Sequence, residues 1–124
     1  KTEIDIEVTH FDYSSGEPLM NLCVSIFNPS QEVLQLRKIE FDVYLNQKYM
    51  EHQVIMRIPA VIPEYQAKFN YQMSLPQDRM FTIDDAQEQG KWEWKVSGSG
   101  YVETMFGDTL LRFKTIKKLP PANN

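Results

Sequence analysis

Polar and apolar residues alternate with period two along most of this chain, the pattern of strands with one buried face. Ile4, Ile6 and Val8 interleave with acidic and hydroxyl residues, and the phase then changes to Phe11 and Tyr13. A one-residue phase change predicts a bulge near Thr9-His10. Ser14-Ser15-Gly16-Glu17-Pro18 has the composition of a turn. A second strand is expected over Leu19 to Phe27, with Met20, Leu22, Val24 and Ile26 inward and Asn21, Cys23 and Ser25 outward. Asn28-Pro29-Ser30 ends it, because Pro29 has no N–H to give a ladder and Asn28 can close a turn through its side chain. A third strand is predicted from Leu36 to Leu45, with Ile39, Phe41, Val43 and Leu45 on its inner face.

Asn46-Gln47-Lys48 reads as a tight hairpin with Asn46 left-handed. A fourth strand is expected to carry Met50, Val54, Met56 and Ile58 on one face, before a corner bracketed by Pro59 and Pro63. The next strand has the cleanest alternation. Tyr65, Ala67, Phe69, Tyr71, Met73 and Leu75 share one face, expected to pack across the sandwich on Trp92, Trp94 and Val96. One short helix follows, with Thr82 as its cap, Asp85 as capping-box partner, Phe81 and Ala86 in the staple positions and Gly90 at its end. The following strand carries Trp92, Trp94 and Val96 inward; Gly98 and Gly100 continue that phase and predict a bulge or close backbone approach. A final strand is expected over Leu110 to Ile116. The fold class is therefore all-β: an antiparallel sandwich of about seven strands with one short helix before the penultimate strand. Residues 1-118 form one domain and 119-124 a flexible tail.

Composition narrows the partners. The chain has 124 residues, 42% hydrophobic and 24% charged, enough for one core without staples. Its net charge of -4 argues against nucleic acid, whose phosphates require basic surfaces. Cys23 is the single cysteine, so no internal disulfide can form. No apolar run is long enough to span a membrane. The first residue is Lys1 rather than Met, so the expectation is that a leader, lipid anchor or membrane helix can precede this segment.

The ordered elements resemble the WHy (water stress and hypersensitive response) domain of the group 2 late-embryogenesis-abundant proteins. Phe27-Asn28-Pro29-Ser30 is similar to that family's Asn-Pro-Asn signature, with Ser30 in place of the second Asn. Phe41 to Asn46, Ile58-Pro59-Ala60, the strand Gln66 to Leu75 and the strand Trp94 to Gly98 follow in the family's order. Gln47-Lys48 stands where the family tends to carry glycine. Asn28, Pro29, Ser30, Pro59 and Gly98 are thus read as structural family-motif residues. The resemblance implies an immunoglobulin-like sandwich and a non-enzymatic, stress-protective (desiccation-related) role, through weak or edge-strand contacts with proteins or membrane surfaces. It implies export to the periplasm or cell envelope, with lipid anchoring in some members; a cytoplasmic location is the alternative. Two rival functions stand beside it: an accessory module of an exported envelope or secretion assembly, and a lipid- or ligand-binding sandwich.

Chemistry is sparse. Nucleophilic catalysis needs a nucleophile, a base and an orienting group, and the candidates reduce to Cys23, His10 and His52. His52 is expected to be a partly buried, hydrogen-bonded histidine. Asp84, Asp85 and Glu88 are the densest acids; they lack a calcium-loop pattern and read as helix-dipole partners. Gly98-Ser99-Gly100 lacks the lysine and helix of a phosphate loop. The expectation is no catalytic site, no cofactor and no metal. The aromatic stripe reads as core rather than a sugar platform, with Tyr44, Tyr49, Tyr65 and Tyr101 more exposed, and no enclosed cavity of lipid size is expected. Asn28→Ala is expected to cost about 1 kcal/mol.

Overall fold

The computed structural model describes residues 3–122. Seven strands form two antiparallel sheets: β1 (Glu3–Asp12), β2 (Leu19–Phe27), β3 (Leu36–Leu45), β4 (Lys48–Ile55), β5 (Gln66–Ser74), β6 (Glu93–Thr104) and β7 (Gly107–Lys118). One sheet has the order β1-β2-β5 and the other β4-β3-β6-β7. The sandwich is all-β apart from a 3-10 turn (Gln77–Arg79) running into one helix, α1 (Met80–Gln89), before the penultimate strand. Its space is filled by Phe11, Met20, Leu22, Ile39, Phe41, Leu45 and Trp94, all nearly solvent-free.

Alternation is a good guide where a strand lies in the middle of its sheet. β2 and β3 bury every inward residue the pattern assigns, and β1 shifts register between Val8 and His10 so that Phe11 returns to the core. The hairpin after β3 is tighter than an Asn alone requires: Asn46 and Gln47 both have positive φ, 50° and 71°. Asn46 also accepts from Glu93 N–H and donates to the Lys91 carbonyl, tying the turn to the start of β6.

Edges and ends depart from the pattern. In β4, Tyr44 faces Tyr49 and Val43 faces Glu51, so Met50 is an extra, bulged residue. The bulge reverses the phase: Met50 and Ile55 are buried, whereas Val54 and Met56 are exposed, as is His52. Tyr65 precedes β5, after Glu64 with φ 61°, and is exposed rather than inward. β5 lies at the far side of its sheet from β1, which decides its cross-sheet partners. Tyr71 meets Phe41 edge-on at 6.1 Å and its hydroxyl donates to Gln53. Burial also pushes the Tyr71 phenol pKa up. Trp94 and Trp92 pack instead on Phe11, at 4.9 and 5.9 Å.

The helix starts at Met80, not Thr82. The chain leaves β5 through Pro76 into the 3-10 turn, whose bonds occupy the first helical donors, and no side chain caps the start. Phe81 is therefore exposed and the capping box does not form, while Gly90 ends the helix at φ 63°. Asp84 and Asp85 fall in mid-helix, beyond the first turn where the dipole would favour them. β7 is longer than Leu110 to Ile116. The segment 119–122 is docked rather than frayed. Trp94 Nε1 donates to the Leu119 carbonyl, Pro121 is buried, and Ala122 N–H donates to Phe11. Asn123 and Asn124 lie outside the described residues.

Candidate functional site

Antiparallel pairing brings three connections to one pole of the sandwich: the β2–β3 loop, the β4–β5 loop and the tip of the β6–β7 hairpin. Asn28 builds this pole. It is the one fully buried polar side chain among the described core residues. Its Nδ2 donates to the carbonyls of Glu32 (2.7 Å) and Val61 (2.9 Å), and its Oδ1 accepts from both Ser30 N–H (3.0 Å) and the Ser30 hydroxyl (2.7 Å). Its backbone donates to Tyr65 and accepts from Glu64. One residue thus stitches the first loop to the second, and Leu34 and Val61 add a pair of backbone bonds between them. Pro29 stops β2 and turns the chain into this knot. Pro59 stands exposed one residue after buried Ile58, whose carbonyl accepts from Gln35 Nε2.

The clamped loops present apolar side chains to solvent. Val33 is 60% exposed and Ile62 57%, with Met56 beside the same corner. The hairpin tip is the most exposed: Met105 is 88% exposed and Phe106 92%. Arg37 braces the hairpin from β3 through Asp108 (3.0 Å) and Glu103 (3.4 Å). The Asp108 hydrogen bond, with both acids nearby, raises the guanidinium pKa further. The pole is apolar at its exposed tips and locally charge-paired.

Gly98 lies elsewhere, in mid-β6 between Phe41 and Phe113. A Cβ there would overlap the Glu40 carbonyl oxygen and the Phe41 Cα, so the glycine serves a close backbone approach. It opens onto the outer face of the four-stranded sheet. There Glu40, Asp42, His52, Ser99 and Tyr101 line an open cleft of about 180 Å³, with the Lys38 ammonium over the Tyr101 ring. His52 Nδ1 is 2.8 Å from Asp42 and its Nε2 is 3.6 Å from Glu40. Both ring nitrogens thus face carboxylates. The Lys38 ammonium bonded to Glu40 at 2.6 Å holds that carboxyl below its ordinary value.

Cys23 faces out from the other sheet, between Glu7 and Asn70, so the two sheets keep it apart from His52. It borders a cleft of about 720 Å³ along the β1–β7 seam, open to solvent and lined by Asp5, Glu7, Lys68, Arg112 and Lys114. This volume is on the surface rather than between the sheets. Asp85 approaches Lys48 at 3.9 Å. Among the described residues, no three His, Cys, Asp or Glu side chains are grouped so as to hold a metal ion.

No sequence-family profile and no curated protein sequence matches this chain. Solved structures do share its fold. A protein from Arabidopsis thaliana, solved in solution, superposes with a TM-score of 0.75 at 12% identity, over 97% of this chain and 80% of that one. A protein from Archaeoglobus fulgidus gives 0.65 at 10% identity over 96% of both chains. A candidate late-embryogenesis-abundant protein gives 0.61 at 10% identity, over 97% of this chain and 73% of that one. Identities this low show the common fold alone.

Sequence reasoning isolated Asn28 but assigned it only a local turn. Its reach to Val61, 33 residues away, had no sequence signal. Met105-Phe106 does carry a sequence signal, as an apolar dipeptide directly before Gly107 between two strands.

Proposed function

We propose that this chain is a WHy-type, late-embryogenesis-abundant-like domain, a non-enzymatic protectant that acts through surface contacts under water stress. The observation that carries this reading is the apolar pole, where Val33 and Ile62 stand in solvent on loops clamped by Asn28, and Met105 and Phe106 on the hairpin braced by Arg37. Exposed apolar groups raised on a rigid frame suit weak contacts with many partners. A partner meets them without the frame reorganising, so little ordering entropy opposes contact. Loss of water raises the effective concentration of such partners. The fold shared with a candidate late-embryogenesis-abundant protein supports the assignment, as does the placement of the Asn28-Pro29-Ser30 motif. The partners are proteins or membrane surfaces, and the compartment in this reading is the cell envelope.

The test is protection of a labile client enzyme, and of phosphatidylcholine vesicles, through drying and rehydration. The wild-type protein should preserve activity or vesicle contents better than an equal mass of serum albumin. The double variant Met105→Ser, Phe106→Ser should lose most of that advantage while melting at an unchanged temperature, since both side chains are exposed. Protection no better than albumin would refute the protective role. Full protection by the double variant would refute the pole.

A further inference from the structure

Four strands lie at sheet edges: β1, β5, β4 and β7. An open edge is a template for another chain, and proteins usually guard it with bulges, charges or cover. Three of these are guarded. β1 carries its bulge at Thr9 and is bridged to β7 by Thr115–Asp5 and Lys117–Glu7 hydrogen bonds. Those bridges engage β7 as well, and β7 also carries Arg112, Lys114, Lys117 and Lys118. β4 is bulged at Met50.

β5 is guarded least: it has no bulge, and its tie to the other sheet is the single Tyr71–Gln53 hydrogen bond. Its register with β2 runs unbroken from Leu19–Ser74 to Phe27–Gln66. It contains no proline and one charge, Lys68. The direction of its free groups follows from its two ends. The Tyr65 carbonyl accepts from Asn28 on the β2 side, and Leu75 N–H donates to Pro18 on that same side. Backbone groups alternate sides along a strand. The N–H and C=O of Gln66, Lys68, Asn70, Gln72 and Ser74 therefore point away from β2, towards the open edge. The inner-face residues Ala67, Phe69 and Tyr71 are only half-buried there.

We propose that β5 pairs with β5 of a second copy, antiparallel about Asn70, joining two three-stranded sheets into one of six strands. The sequence is self-complementary in this register. Gln66 faces Ser74, Lys68 faces Gln72 and Asn70 faces its own copy, so every outward-pointing residue meets another and about ten backbone hydrogen bonds form. Ala67 meets Met73 and Phe69 meets Tyr71, which covers the half-buried stripe with a cross-strand aromatic pair. No like charges oppose. A shift to centre on Lys68 would set Lys68 against Lys68 and shorten the overlap. This dimer is independent of the protective role.

The test is sedimentation of the full chain from micromolar to near-millimolar concentration. The wild type should show a reversible monomer–dimer equilibrium. Gln72→Lys places lysine opposite Lys68 twice per dimer and should weaken association about tenfold; Gln72→Glu should tighten it by a similar factor. Asn70→Pro removes an outward N–H that β2 does not use, so it should abolish the dimer while the monomer still folds, as its circular dichroism would show. A monomer throughout the range would overturn the proposal. So would a dimer indifferent to both charge variants.

Discussion

Asn28 spends every polar atom on backbone or on Ser30, and it does so without solvent. Asn28→Ala would remove four side-chain hydrogen bonds at once; Val61 C=O would keep Leu34 N–H and Glu32 C=O the Ser30 hydroxyl, but the tie between the two loops would be cut and a cavity left at a solvent-free position. We expect a loss of about 3 kcal/mol, since several hydrogen bonds of a solvent-free side chain go together rather than one exposed turn bond; denaturant unfolding measures it. Asn28→Asp should be similarly costly, because a carboxylate cannot donate to either carbonyl. Gln47 presents the opposite case. It holds φ 71° with a Cβ, a conformation that strains L-residues by about 1 kcal/mol. Gln47→Gly is expected to raise stability by up to about 1 kcal/mol, less the entropy a glycine adds to the unfolded chain. A lower melting temperature would contradict that assignment.

At the level of elements, β3 and β6 form the spine of the larger sheet, and Gly98 sets their approach. Gly98→Ala forces a methyl into the Glu40 carbonyl and the Phe41 backbone, neither of which can move without parting the strands. We expect about 3 kcal/mol or more of destabilisation, the range for overpacking compounded by backbone displacement. Nearby, Gly100 faces the flexible side chains of Ile4 and Leu36, so Gly100→Ala should cost less. Position within the sheet likewise separates two phenylalanines. Phe11 lies between Trp94, Trp92 and Tyr13, so Phe11→Ala should cost about 3–5 kcal/mol. Phe69, half-exposed on the β5 edge, should cost about half as much when truncated in the monomer.

At the scale of the whole molecule, a filled core leaves its ionisable groups on the surface, and two carboxylates there are tied to pH by their folded-state partners. Bonds from Ser14, first its backbone N–H and then its hydroxyl, lower the Asp12 pKa from 3.8, and Lys38 lowers that of Glu40 from 4.5. A carboxylate whose pKa falls on folding stabilises the native state above its unfolded value, and that contribution fades as pH drops through the folded value. Melting temperature should therefore decline below about pH 4.5. The double variant Asp12→Asn, Glu40→Gln should decline less steeply there and match the parent's slope above pH 6. An unchanged acid limb would show that neither carboxylate contributes.

Period-two alternation was enough to determine the all-β class, the limits of β2 and β3, the bulge in β1, the inward Trp92-Trp94-Val96 stripe and the turn at Asn28. Each follows from neighbours along the chain, because a strand covered on one face records that face residue by residue. Tertiary structure decided what depended on distant neighbours. The order of strands sent Phe11, not Tyr71, to the tryptophans. The bulge at Met50 turned Val54 outward, since an edge strand has a neighbour on one side only and tolerates an extra residue there. The 3-10 turn after Pro76 moved the helix start past any capping rule. Packing beneath Phe11 and Trp94 held 119–122 in place. Above all, the loops that carry Val33 and Ile62 lie together because Asn28 and Val61 meet. Sequence distance hides such a contact, and folding the two sheets together creates it.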